Sequence, residues 1–343
     1  MAIVEMRNRR YSYADMERDL HKLEEAYPET ARVYSIGETA DHRQIYCLRI
    51  SRRKEDRECK PILLQASMHG REWKNTQLLM KMAERFLQRY QADLLWEGIP
   101  YRHLLRHYEV HLLPMVNPDG VQISQFGLGG INDPVLRETI WEEIRHSYKE
   151  MAHKHRITKR WKGNARGVDL NRNFPEGYCA RKGTGECTGD EKCAPKGEIV
   201  LPGEAGYSGN RPFSEAETVA LWRYLMDIKP ILTLNYHSTG EEIFYQKFFW
   251  GLEDISRQSS YPLVKEMGKA NGSLGDMLSQ AKCYWATLET GIGRAPIWHA
   301  QLYVQWLRHR NLLPLILAVA PRKYPADCGL KNEKTVVLPG EKD

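Results

Sequence analysis

The chain has 343 residues, of which 42% are hydrophobic and 27% charged, with a formal net charge of +6. That is an ordinary globular balance, of a length often built as one α/β unit around one sheet. The charge is modest and no basic run interleaved with aromatics stands out, which argues against nucleic acid. No apolar run is long enough to span a membrane.

The opening Met1-Ala2-Ile3-Val4-Glu5 is followed by basic residues with no apolar stretch behind them. No secretory signal is visible, and a cytoplasmic protein is the expectation, although a mature secreted form has the same appearance. Residues 12–27 read as a helix, because Tyr13, Met16, Leu20, Leu23 and Tyr27 recur at helical spacing. Ser12 with Asp15 resembles a capping box, and Pro28 ends the pattern. Strand-like segments follow at residues 32–37, 44–50 and 61–67, the last apolar enough to be buried on both faces.

Residues 73–90 form an amphipathic helical stretch, with Leu78, Leu79, Met82, Ala83, Phe86, Leu87 and Tyr90 on one side. The apolar run 110–116 leads into Asn117-Pro118-Asp119-Gly120, a turn signal. A charged helical stretch covers residues 135–155, and another helix begins near Ser214, which with Glu217 fits a capping box. Residues 231–236 and 284–288 are further buried strands. Strands alternating with long helices predict an α/β fold.

The seven cysteines are too few for a disulfide scaffold. Cys47 reads as a small buried side chain. Cys179, Cys187 and Cys193 fall in a Gly- and Lys-rich insert at about residues 176–209. Their spacing does not match a zinc ribbon or finger, so reduced loop thiols or one local bridge are expected over a second metal site.

Chemistry concentrates at strand ends. His69 and Glu72 lie three residues apart between a buried strand and a helix, where an imidazole and a carboxylate can converge on one ion. A structural, hydrogen-bonded histidine is the plain alternative. The same spacing recurs at His21 and Glu24, but in mid-helix and away from the apolar face, where a solvated surface is the better account. In Asp169-Leu170-Asn171-Arg172-Asn173-Phe174, Arg172 offers a planar fork for a carboxylate and Asn171 an amide donor. A turn satisfying its own backbone is the alternative there. His237 leaves another buried strand, where a lone histidine is more often a satisfied core residue than a ligand; joined to His69 and Glu72 it completes a His₂Glu set with a position open for water. Glu289 ends a further strand, where it is either a cap or the free carboxylate that proton transfer needs.

Taken in order, His69-Gly70-Arg71-Glu72-Trp73, Asn117-Pro118-Asp119-Gly120, Trp161-Lys162, Asp169-Leu170-Asn171-Arg172-Asn173-Phe174, Asn235-Tyr236-His237-Ser238 and Glu289-Thr290-Gly291 resemble the motif series of the zinc metallocarboxypeptidases. The stretch from Arg160-Trp161-Lys162-Gly163-Asn164 to Phe174-Pro175 is most similar to the bacterial branch that cuts γ-D-glutamyl–diaminopimelate bonds in peptidoglycan peptides. The resemblance implies an α/β fold with a central mixed, mostly parallel eight-stranded sheet flanked by helices. It also implies one Zn²⁺ per chain on His69, Glu72 and His237. Asp169 then orients His69, Asn171 and Arg172 hold a terminal carboxylate, Arg71 binds or polarises substrate, and Glu289 is general base and acid.

Two departures stand out. Lys162, with Arg160 two positions earlier, replaces the arginine that follows the tryptophan in digestive relatives. The tyrosine that closes on substrate there has no match; its position falls near Met267, with Tyr245 and Tyr261 as candidates. Asp276, in the segment that helps line the specificity pocket, faces either the ammonium of a diamino acid or serves as a cap.

The expected unit is a catalytic domain over residues 8–322 with a tail at 323–343. Its expected partner is a peptide or muropeptide substrate, with no nucleic acid and no membrane; the sequence sets no oligomeric state. The leading expectation is hydrolysis of γ-D-glutamyl–diamino acid (diaminopimelate or Lys) bonds. The alternatives are removal of C-terminal L-amino acids and an inactive peptide- or muropeptide-binding homologue.

Overall fold

The structure, a computed structural model, describes residues 2–52, 59–147, 154–178, 200–266 and 272–330. Helix α1 (Tyr13–Ala26) begins with the expected capping box: Ser12 accepts from the Asp15 N–H and Asp15 accepts from the Ser12 N–H. Met16, Leu20 and Leu23 turn its apolar stripe into the core. His21 and Glu24 lie on the other side, His21 being 54% exposed.

Eight strands form one sheet: β1 (Ala31–Glu38), β2 (Gln44–Ile50), β3 (Lys60–Ala66), β4 (Tyr108–Leu113), β5 (Leu232–His237), β6 (Glu242–Tyr245), β7 (Leu263–Lys265) and β8 (Tyr284–Glu289). Their spatial order is β1-β2-β4-β3-β5-β8-β6-β7. The pairs β4–β3, β3–β5, β5–β8 and β6–β7 are parallel; β1–β2, β2–β4 and β8–β6 are antiparallel. The mixed, mostly parallel eight-stranded sheet is therefore as expected.

The period-two alternation of strands decides which side chains meet. Ile62, Leu64 and Ala66 of β3, Leu232, Leu234 and Tyr236 of β5, and Ala286 and Leu288 of β8 share one apolar cluster. Helices α2 (Lys74–Gln91), α6 (Gly251–Ser259), α8 (His299–His309) and α9 (Leu312–Val319) contribute to the same cluster. The opposite face carries Leu63 and Trp285, packed with α5 (Ala216–Ile228) and α7 (Leu274–Gln280). Toward the strand ends that face turns polar. Gln65 donates to Asn235 at 3.1 Å, and Asn235 to Thr287 at 3.5 Å. This polar stripe runs out at His237 and Glu289, on the rim of the sheet where open α/β folds place their sites.

Several local expectations are corrected. Asn117-Pro118-Asp119-Gly120 is not a free turn but the start of helix α3 (Pro118–Phe126). Asn117 accepts the Gly120 N–H at 2.9 Å, and Pro118 sits where a missing N–H costs nothing. Ser214 does not cap α5: Glu215 holds the N-cap position without a side-chain bond, and Ser214 hydrogen bonds Asn173 and Glu215 instead. The charged stretch 135–155 is helical as α4 (Pro134–Ser147), with a separate short helix at Lys154–Lys159. The packed unit also exceeds residues 8–322. Val4 is buried near the start, and Cys328 and Leu330 fill the second cluster, because their side chains complete apolar layers the core leaves open. Cys47 is buried as expected; Cys179, Cys187 and Cys193 lie outside the described residues. Among the described residues no helix is long and apolar enough to cross a membrane.

Candidate active site

The link from β3 to α2 brings the first two candidate residues to the sheet rim. Ser67 takes a positive φ of 53°, and His69 leads into the 3₁₀ turn Gly70–Glu72. The turn is clamped from below. Asn117 donates through its amide to the Met68 carbonyl at 3.1 Å and the Gly163 carbonyl at 3.0 Å, and the Gly70 N–H donates to the Lys162 carbonyl. A Cβ on Gly70 would stand 2.4 Å from the Gly120 backbone, so the Asn117–Gly120 motif is the platform on which the turn rests.

His237, at the end of β5, meets this turn. Its Nδ1 is 3.1 Å from His69 Nδ1 and 3.0 Å from Glu72 Oε2, while His69 Nδ1 is 2.9 Å from Glu72 Oε1. All three residues are buried. Two imidazole nitrogens facing each other beside a carboxylate fit a cation: ligands about 2.1 Å from a tetrahedral zinc stand about 3.4 Å apart. Nitrogen and oxygen donors of this kind are those zinc takes. Asn75, the second residue of α2, steadies His237 by donating to its carbonyl at 2.9 Å, and accepts from the Thr290 hydroxyl at 2.6 Å.

Asp169, fully buried, lies behind His69. It accepts from His69 Nε2 at 3.1 Å, which leaves Nδ1 as the free ligand atom. It also accepts from the Asn171 and Gly206 N–H groups, and the Lys162 ammonium stands 3.2 Å away. Burial pushes the Asp169 carboxyl up, but the charges of Lys162 and His69 outweigh it and hold the group well below its ordinary range. Glu72 behaves alike. Burial raises it, while the charge of His69 and the hydrogen bonds from His237 and His69 bring it down. Of the two cations in this stretch, Lys162 reaches Asp169 inside the site, whereas Arg160 lies exposed on the surface.

Glu289 ends β8 as the register partner of His237. Burial pushes its carboxyl up to about 7, against the charge of His237 and with that of Glu72. A carboxyl poised near neutrality can both take and return a proton.

Glu289 and His237 line a cavity of about 200 Å³ together with Asn171, Arg172, Phe244, Glu266 and Trp285. Asn171 and Arg172, which the sequence reading assigned to a terminal carboxylate, thus lie on the walls of the same cavity as Glu289 and His237. Asp276 is used otherwise: it closes the capping box of α7, accepting from the Ser273 N–H at 3.0 Å and its hydroxyl at 2.9 Å. Besides Glu289, the acid on the cavity wall is Glu266, which the sequence reading missed because it lies in no motif and follows a short edge strand. Burial and the Asp276 charge raise its carboxyl, and Arg172 lowers it. Arg71, the middle residue of the Gly70–Glu72 turn, is half-buried, and its Nε has no partner among the described residues. Tyr261 is corrected as a closing residue: it is 1% exposed and held by Gln305 and His309. Tyr245 stacks edge-on against Phe248, and Met267 lies outside the described residues.

Comparisons agree with this geometry. The sequence profile of the zinc carboxypeptidase family matches residues 16–298. An uncharacterized protein, YqgT of Bacillus subtilis, is 26% identical over 77% of this chain and 62% of its own length. The γ-D-glutamyl-L-diamino acid endopeptidase 1 of Lysinibacillus sphaericus is 26% identical over 76% of this chain and 58% of its own. The chain thus spans less than two thirds of either relative. The human carboxypeptidase N catalytic chain is 26% identical over 95% of this chain and 66% of its own. Among solved structures, thrombin activatable fibrinolysis inhibitor shares the fold, with a TM-score of 0.61 and 17% identity over 94% of this chain and 74% of that one. Carboxypeptidase A from Helicoverpa armigera does so at 0.58 and 17%, over 90% and 74%.

Proposed function

The chain belongs to the zinc carboxypeptidase family, and on that premise we propose that it hydrolyses the amide bond preceding a diamino acid, specifically the γ-D-glutamyl–diaminopimelate or –Lys bond of peptidoglycan-derived peptides. The observation that carries this reading is the pairing of Arg172 and Glu266 in one cavity with His237 and Glu289. A diamino acid presents a carboxylate and a side-chain ammonium together. A guanidinium fork and an acid on the same walls match both charges. The relative from Lysinibacillus sphaericus bears the name of that activity.

His69, Glu72 and His237 would hold a zinc ion, which when bound would supply Lewis acidity to the site. Glu289 takes the proton from the attacking water and returns it to the leaving amine nitrogen. Lys162, fixed by Asp169, and Arg71 supply positive charge where the carbonyl oxygen becomes negative. Asn171 and Arg172 hold the departing residue by its carboxylate, and Glu266 takes its ammonium.

A second reading is favoured by the same Glu266: a carboxypeptidase releasing C-terminal L-Lys or L-Arg. Incubation of the zinc-loaded protein with L-Ala-γ-D-Glu-diaminopimelate and with an α-linked peptide ending in Lys, followed by mass spectrometry, separates the two. Diaminopimelate release supports the proposal. Release of L-Lys alone from the α-linked peptide overturns it in favour of the second.

A further inference from the structure

A second and larger cavity, of about 700 Å³, lies against the zinc turn and shares no lining residue with the first. Its walls include Arg9, Arg10, Lys74, Lys159 and His299 and, among the described residues, no Asp or Glu. Four fixed cations without an acid create a positive field that an anion relieves.

Lys74 is 2% exposed. Its ammonium donates to the Arg9 carbonyl at 2.9 Å, lies 3.1 Å from His299 Nδ1 and sits 4.4 Å above the Trp73 ring. None of these neighbours is an anion, and among the described residues no ion pair involves Lys74, Arg9, Arg10 or Lys159. Burying a charge without a counter-ion is costly.

Two helices also start here. α2 has Trp73 as its N-cap and α8 has Trp298; neither cap provides a side-chain acceptor, and neither helix carries an acid in its first turn. The positive ends of both helices therefore lack the usual compensation. Trp73 is 7% exposed, yet its indole Nε1–H has no acceptor among the described residues. A buried donor left unpaired is the mark of a missing partner. Trp298, 79% exposed, and Phe126, 42% exposed with Arg10 lying 5.1 Å over its ring, offer flat apolar faces around the charges.

We infer that this cationic cavity is a subsite for a carboxylate-bearing group on the acyl side of the scissile bond. The inference rests on the peptidase reading above. With the departing residue in the Arg172–Glu266 cavity, only the acyl portion of a substrate can reach a cavity on separate walls beside Glu72. In a γ-D-glutamyl substrate the glutamyl residue keeps its α-carboxylate free, so such an anion is present within a few atoms of the bond.

The test uses two peptide pairs, each identical from the scissile bond to the C-terminus. The first pair is γ-D-glutamyl–Lys peptides with the glutamyl α-carboxylate free or amidated. The second is α-linked peptides ending in Ala-Lys and preceded by Glu-Glu or Gln-Gln. In whichever pair is cut, the acidic member is expected to show a KM roughly fivefold lower at 20 mM salt, with similar kcat and a difference that shrinks at 200 mM. The exposed-residue variants Arg10→Gln and Lys159→Gln reduce that ratio toward one while leaving the neutral member unchanged. Equal KM values within the cut pair overturn the subsite. Failure of the γ-D-glutamyl reading shows separately, as no turnover in the first pair with turnover in the second. If neither pair is cut, calorimetry with acetylated tri-glutamate against tri-glutamine decides: preferential heat for tri-glutamate supports the subsite, and equal or absent binding overturns it.

Discussion

His237 and Glu289 are register partners at the last positions of two neighbouring parallel strands, so their side chains leave the sheet on the same face. The metal set and the carboxylate meant to serve it are thus positioned by one backbone ladder, and a substitution at Glu289 can remove a proton acceptor without disturbing the ligands. Glu289→Gln is expected to lower kcat by about 10²–10⁴ while zinc content stays at the wild-type value. Loss of zinc with activity would assign Glu289 to the ligand set.

The protonation of Glu289 sets a pH limb. Burial holds its carboxyl up, to about 7, before any cation is bound, and a bound dication favours the charged form and draws it down. The base works only when deprotonated, so kcat/KM is expected to fall as pH drops, with a midpoint between the ordinary glutamate value and about 7. A pH–rate profile flat from pH 5 to 8 would contradict this.

Asp169→Asn tests the hydrogen bond at 3.1 Å to His69 Nε2. An amide can present either face to the ring and no longer fixes the tautomer, so zinc affinity is expected to fall about 10- to 100-fold. Equilibrium dialysis against a competing chelator reads the change directly.

Glu266 and Asp276 make opposite predictions. Glu266→Gln is expected to cost about tenfold or more in kcat/KM for substrates releasing diaminopimelate or Lys, and to spare a neutral leaving residue. Asp276→Asn removes one arm of a capping box and is expected to cost about 1 kcal/mol of stability with specificity unchanged. Kinetics paired with denaturant titration on both variants separates these roles.

Away from the site, Glu217 is fully buried beside Asn164, and burial with the charges of Glu215 and Asp119 pushes its carboxyl up to about 8. Its folded-state value lies above its unfolded one, so between roughly pH 4.5 and 8 the folded chain holds the proton more tightly. Stability from this group is present below that window and is lost as pH rises through it. Glu217→Gln is expected to flatten the decline, by on the order of 4 kcal/mol at pH 8. Thermal melts at pH 5 and pH 8 on both proteins read the difference.

What the sequence made legible was whatever repeats along it. The continuous apolar runs of β3, β5 and β8, and the 3.6-residue period of α1 and α2, placed those elements to within a residue or two. The His69, His237 and Glu289 motifs were visible because each ends a buried strand. Side chains whose task depends on a distant neighbour were not legible. Asn117 looked like a turn residue, because nothing local shows that it spans Met68 and Gly163. Ser214 had the spacing of a cap, yet Asn173 from another loop claims its hydroxyl. Glu266 has no motif at all and gains its place only when β7 pairs with β6. Tyr261 looked free to close on substrate until His309 and Gln305 were seen to hold it.

The account stands on one cation shared by three side chains that the sheet and the turn bring together. Its most direct test is the zinc content of the purified chain after equilibrium dialysis, by elemental analysis, for wild type and for His69→Ala, Glu72→Ala and His237→Ala. One zinc per wild-type chain, lost from each folded variant, is the predicted result. A folded wild-type chain that takes up none, or variants that all retain a full equivalent, would contradict it.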